Sequence, residues 1–230
     1  MWPVKLISTN TVTKTQVVGA SPNGEVFMRD GTLPKDTFAL HLMTQVDRLR
    51  AKGITGKGVK IAVIDSGIDF THPALGNGCF GKGCLVSFAA QPNPLGFTGE
   101  ATGITLGAYR VMGCEGESAN DVLVAAFNKA FEDGANIITA SIGGAEGFSD
   151  SPWAVTASRI VQAGVPVTIS AGNDGHSGLF YFGDGASGKG VTAVASYDNI
   201  DSPVVSYHST YNINNGDKID FIYTPGALAE

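Results

Sequence analysis

Residues 59–65 form the run Val59-Lys60-Ile61-Ala62-Val63-Ile64-Asp65. It is almost wholly apolar and β-branched, and such a run suits a strand covered on both faces, as in a parallel sheet. Comparable runs recur at Thr105 to Met112, Ile137 to Ile142, Val165 to Ser170 and Val191 to Ser196. Helical patterns lie between them. Ser118 can cap a helix whose apolar positions Val122, Ala125, Ala126 and Phe127 share a face and which Gly134 ends. Ser151 with Pro152 opens another, which runs through Ile160 and Val161 to Gly164. Strand and helix in alternation predict an α/β fold: a mostly parallel sheet with helices on its faces. Ligands bind such sheets outside the carboxyl ends of the strands. Asp65, Ser141 and Asn173 all lie at or just past strand ends, which places three polar groups along one edge of the sheet.

Outside this body the pattern changes. Residues 1–42 carry β-branched residues broken by Pro3, Pro22, Gly24, Gly31 and Pro34, and read as a strand or two and a linker. Thr44 to Lys52 reads as a short amphipathic helix stopped by Gly53, so the main domain is set at residues 43–199. Residues 200–230 are polar, aromatic and turn-rich. They read as the opening of another module, with a turn at Asn212 to Gly216 between short strands.

Composition narrows the class. A chain of 230 residues, 43% hydrophobic and 16% charged, buries one good core, and 31 glycines without a Gly-x-y period imply tight turns and exclude collagen. The net charge of −6 is spread along the chain with no run of lysine or arginine, which disfavours nucleic acid and anionic membrane partners. No stretch approaches the roughly 18 uninterrupted apolar residues of a spanning helix, and Met1 to Asn10 lacks the apolar block of an export signal. Cys79 and Cys84 flank a glycine-rich segment; a short loop disulfide is one reading and two reduced thiols the other, with Cys114 left over. No His or second Cys pair completes a zinc site, and no cofactor is required.

Ile64-Asp65-Ser66-Gly67-Ile68-Asp69, followed by Thr71-His72-Pro73-Ala74-Leu75, resembles the aspartate motif of the subtilase family. Thr139-Ala140-Ser141-Ile142-Gly143-Gly144 is similar to that family's substrate-binding strand, and Ser170-Ala171-Gly172-Asn173-Asp174-Gly175 to its oxyanion-hole motif. With Gly107-Ala108-Tyr109-Arg110-Val111, the likeness covers roughly residues 43 to 199 and is to secreted fungal subtilases that carry a propeptide and an inserted protease-associated module. It implies a three-layer subtilisin-like fold, here truncated and internally deleted. It also implies a monomeric extracellular serine endopeptidase acting on peptides, with calcium an option of the family. Residues 2–40 resemble the end of the family propeptide plus its linker.

In this resemblance Asp65 is the acid of the catalytic triad, holding an imidazole in the right tautomer and stabilising it once protonated; the plainer reading is an aspartate that caps a turn, the role expected for Asp69. Asn173 would donate its side-chain amide to the developing oxyanion, and loss of that donor in the family costs about 10²–10³ in turnover. Gly-Asn-Asp-Gly is also a favourable turn sequence. Ser141, Ile142, Gly143 and Gly144 would form an edge that offers backbone groups to an extended peptide, or would simply end a core strand.

Two departures stand beside the likeness. Subtilases place a His-Gly-Thr-His-Val-Ala-Gly helix where Phe88 here runs directly into Ala89, and no Gly-Thr-Ser-Met-Ala segment occurs within residues 1–230. His72 matches a family position outside the triad, and His41, His176 and His208 read as surface or hydrogen-bonded histidines. Loss of the serine or the histidine alone removes about 2 × 10⁶ in turnover in the family. The chain is therefore expected to be inactive, poorly stable, and either an incomplete endopeptidase or a non-catalytic remnant that holds peptides.

Overall fold

A computed structural model of the chain describes residues 5–20, 26–29, 39–69, 71, 98–196, 201–212 and 219–223. In chain order the elements are β1 (Lys5–Ala20), β2 (Val26–Arg29), α1 (Ala39–Thr44), α2 (Val46–Ala51), β3 (Lys60–Asp65), β4 (Thr105–Arg110), α3 (Asn120–Glu132), β5 (Ile137–Ala140), α4 (Pro152–Gln162), β6 (Val167–Ser170), β7 (Thr192–Val194), β8 (Asp201–Asn212) and β9 (Ile219–Tyr223). They fall into two units, residues 48–93 with 97–197, and residues 1–47 with 94–96 and 198–230.

The larger unit holds the expected parallel sheet, in the order β4-β3-β5-β6-β7. The five apolar runs read from the sequence supply its five strands, each shorter than its run. The chain passes from β3 outward to β4, then returns to β5 on the other side of β3, so the strand order reverses at the β3/β5 boundary. That reversal is where sheets of this kind open a crevice beyond their carboxyl ends. The β4-α3-β5 and β5-α4-β6 connections advance in the same direction, so right-handed crossovers bring α3 and α4 to one face. There Phe127 of α3 and Trp153 of α4 meet at 5.8 Å between ring centroids, on a core that includes Ile64, Ile138 and Ile169, all fully buried.

Helix detail departs from the sequence pattern. The buried stripe of α3 is Leu123, Phe127 and Ala130, at the i, i+4, i+7 spacing, while Val122 stays 42% exposed. Ser118 does not cap this helix. Its N-cap is Ala119 without a side-chain bond, and Ser118 Oγ is buried without a hydrogen-bond partner among the described residues. Ser151 does act as expected, accepting from the Ala154 N–H at 3.4 Å with Pro152 opening the helix. The helix read at Thr44 to Lys52 is α2, Val46–Ala51, and a second short helix, α1, precedes it, the two separated at Gln45, whose φ of +62° lies in the left-handed region and cannot continue a helix.

The smaller unit contains a four-stranded antiparallel sheet in the order β2-β1-β8-β9. Its long central pair joins β1 to β8, from Lys5 opposite Asn212 to Gly19 opposite Asp201, with register shifts between Ile7 and Thr11 and between Val12 and Lys14. The segments 1–42 and 200–230, read separately from the sequence, thus share one sheet. β8 has 12 residues where a short strand was expected.

Candidate active site

Asp65 closes β3 with its side chain half-buried. Oδ1 accepts from the Ser66 backbone N–H at 2.6 Å and from the Ser66 hydroxyl at 3.1 Å. The side chain borders a cleft of about 200 Å³ lined by Val63, Asp65, Gly67, Ile68, Ala108 and Tyr109, which lies on the β4 side of β3. Tyr109 is held there by a 2.8 Å bond to Asp133. Burial first, and then that bond to a carboxylate, push its phenol up to about 12. Asp69 takes the turn role expected of it, accepting from the Thr71 N–H at 3.0 Å.

A second cleft, of about 120 Å³, is lined by Ser141, Gly143, Gly144, Ser170, Gly172, Asn173, Asp174, Tyr181 and Gly183. Two of the three sequence-predicted groups meet here: the segment after β5 and the turn after β6. Gly172 sits at φ +95°, a left-handed conformation that turns the chain sharply before the exposed Asn173. Ile142 is buried in the core, while Ser141 and Gly143 on either side of it are exposed, so the core side chain anchors the segment. Asp65 lines the other cleft, yet the sheet register keeps it close. Ile64 pairs with Ala140 and Ala140 with Ile169, so Asp65, Ser141 and Ser170 follow in one row, with strands about 4.8 Å apart.

Ser141 to Gly144 differ from the edge strand anticipated. β5 is a central strand that stops at Ala140, and the residues beyond it leave the sheet. They are met by another segment: the Gly144 N–H donates to Asp184 Oδ1 at 2.9 Å, the Asp184 N–H donates to the Gly144 carbonyl at 3.0 Å, and Ala145 bridges Gly183. Sequence reasoning missed Asp184. Its signal was Gly183-Asp184-Gly185, an acid between two glycines.

The remaining candidates scatter. His41 is buried on α1, His176 sits exposed in the 3-10 turn Gly175–Ser177, and His208 is on β8. Cys114 is exposed and unpaired, whereas Cys79, Cys84, His72 and the Phe88-Ala89 junction lie outside the described residues. Chemically, the second cleft combines an exposed main chain able to pair with a peptide and a side-chain amide able to donate to a carbonyl oxygen.

Comparison with known proteins agrees with this architecture. The chain is 28% identical to subtilisin DY of Bacillus licheniformis over 225 aligned residues, covering 81% of each protein. It is 31% identical over 147 residues to subtilisin E of Bacillus subtilis (strain 168), covering 56% of this chain but 38% of that protein. To the minor extracellular protease Vpr of the same strain it is 26% identical over 186 residues, covering 68% of this chain and 23% of Vpr. Among solved structures, the prenylagaramide maturation protease PagA superimposes with a TM-score of 0.54 over 76% of this chain and 72% of that one; at 19% identity the likeness is one of fold. A family model described as the subtilase family of S8 peptidases matches residues 85–227, and with well over half of its length so matched the chain belongs to the subtilase family.

Proposed function

We propose that the protein is a subtilisin-like serine endopeptidase by lineage whose residues 1–230, taken alone, hold an extended peptide without cutting it. The observation that carries the binding is the cleft shared by Ser141, Gly143 and Asn173. Gly144 has both backbone groups engaged by residue 184, so the main chain open to a ligand is that of Ser141 and Gly143, which alternate with it along the chain. An extended peptide adds there as a strand would, and Asn173 faces the carbonyl nearest the turn.

Hydrolysis needs more than these residues. Asp65 is suited to orienting an imidazole, but neither the histidine helix nor the serine segment of the family occurs in residues 1–230. Without both, the Asn173 amide stabilises a charge that does not develop. Peptide substrates and an extracellular setting follow by family analogy.

Fluorescence anisotropy of labelled peptides against the purified chain tests the binding, with mass spectrometry of the same mixtures testing cleavage. Saturable binding with intact peptide is expected. Absence of saturation overturns the binding site, and covalent capture of a fluorophosphonate probe on a serine overturns the non-catalytic part.

A further inference from the structure

The segment that meets Gly144 is built to do so. At Gly183 an added Cβ would stand 3.0 Å from the Ser170 carbonyl oxygen, and at Gly185 one would stand 1.9 Å from the ring of Trp153. Gly185 is required by space, since a fully buried indole would have to move for any side chain there, while at Gly183 the facing backbone would have to give by a few tenths of an ångström. Between them Asp184 is buried, 8% exposed, and each carboxylate oxygen has its own donor. Oδ1 accepts from the Gly144 N–H at 2.9 Å and Oδ2 from Trp153 Nε1 at 2.7 Å. Two donors approaching from different elements need two acceptors on one short side chain. A carboxylate supplies both, whereas an amide would turn an N–H₂ toward one of the N–H groups.

From this we infer that Asp184 is a positioning residue for the peptide cleft: it ties the segment after β5 to α4 through Trp153 and fixes Gly144 so that Ser141 and Gly143 face the ligand. The inference rests on the peptide-binding reading above. Trp153 is itself fixed, at 1% exposure against Phe127, so the carboxylate is referenced to the core and not to a mobile surface group. The reciprocal bond from the Asp184 N–H to the Gly144 carbonyl at 3.0 Å holds the next peptide unit, so both units that flank the Gly144 Cα are tied to residue 184. A purely structural role would need only the bond to Trp153; the bond to Gly144 reaches the cleft wall.

Amide hydrogen exchange separates the two roles without any variant. In the wild-type chain the Gly144 amide is expected to exchange at least about ten-fold more slowly than that of exposed Gly143; equal rates overturn the inference. Asp184→Asn is then compared with Trp153→Phe, which deletes the indole donor but leaves the bond to Gly144. Asp184→Asn is expected to speed Gly144 exchange and weaken peptide affinity roughly ten-fold, while Trp153→Phe lowers the thermal midpoint but leaves affinity within about two-fold. If affinity follows the midpoint in both variants, or changes in neither, Asp184 does not position the cleft. A wild-type chain that binds no peptide yet shows the protected Gly144 amide defeats the binding reading alone.

Discussion

Tyr109, near the end of β4, donates its phenolic O–H to the carboxylate of Asp133, the residue that closes α3, at 2.8 Å. Lys129, one turn earlier on α3, pairs with the other oxygen of that carboxylate, and Lys60 of β3 donates to the Asp133 backbone carbonyl at 2.6 Å. The Lys129 bond first, and then the Tyr109 bond, hold Asp133 below the usual carboxylate range, and Lys129 is raised in return. Tyr109 is pushed up to about 12 from an ordinary value of 10.0. Its folded-state value is the higher one, so its contribution to stability is complete below pH 10 and declines as the pH rises through about 12. Spectrophotometric titration of the six tyrosines should show a late transition that Tyr109→Phe removes, along with part of the alkaline loss of stability. A titration unchanged by that substitution contradicts the assignment.

The core under the sheet predicts a sharp contrast on one helix. Phe127 is fully buried against Trp153, and Phe127→Ala should cost about 3–5 kcal/mol. Val122, five residues earlier on α3 and 42% exposed, should lose no more than about 0.5 kcal/mol as alanine. Urea midpoints of the purified variants check both.

Capping gives a second contrast, between two serines. Ser151→Ala removes the acceptor for the Ala154 N–H, a long bond at 3.4 Å, and should cost about 0.5–1 kcal/mol. Ser118→Ala removes a buried hydroxyl that has no partner among the described residues and should be neutral or stabilising. A thermal midpoint lowered by Ser151→Ala and not by Ser118→Ala is the expected outcome.

Phe148 and Phe180 stack on the surface with centroids 6.0 Å apart, and the Gly147 N–H donates to the Phe180 carbonyl at 2.9 Å beside them. A Cβ on Gly147 would stand 3.0 Å from that carbonyl oxygen. A double-mutant cycle of Phe148→Ala and Phe180→Ala should give about 0.5–1 kcal/mol of coupling, reduced when Gly147→Ala displaces the Phe180 backbone and stretches that bond. Coupling that survives undiminished in the Gly147→Ala background speaks against the backbone bond as the organiser of the pair.

The strands were legible because apolar β-branched runs such as Lys60 to Asp65 have one stable use, in a sheet covered on both faces. Ser151 was legible because Pro152 follows it. Ser118 misled because capping depends on where the hydroxyl points, and a serine before an apolar period does not record that. Asn173 and Ser141 to Gly144 were found by their motifs, and the fold brings them to one cleft. Asp184 escaped because its role comes from two contacts distant in sequence, with Gly144 and Trp153, and an acid between two glycines does not record what the carboxylate reaches. The joining of residues 1–42 to 200–230 was hidden for the same reason, since sheet partners distant in sequence share no pattern.

The pairing of β1 with β8 also sets a schedule for assembly. Gly19 has no partner in that pair until Asp201 exists, nor Lys5 until Asn212, so the β1–β8 ladder closes only after the parallel sheet between them has been synthesised. Contacts between such distant residues carry a loop-closure cost and form slowly. On the ribosome, the edge of β1 that β8 covers stays open while the strands between them are made, with only its Val17–Ala20 end paired to β2 on the other edge.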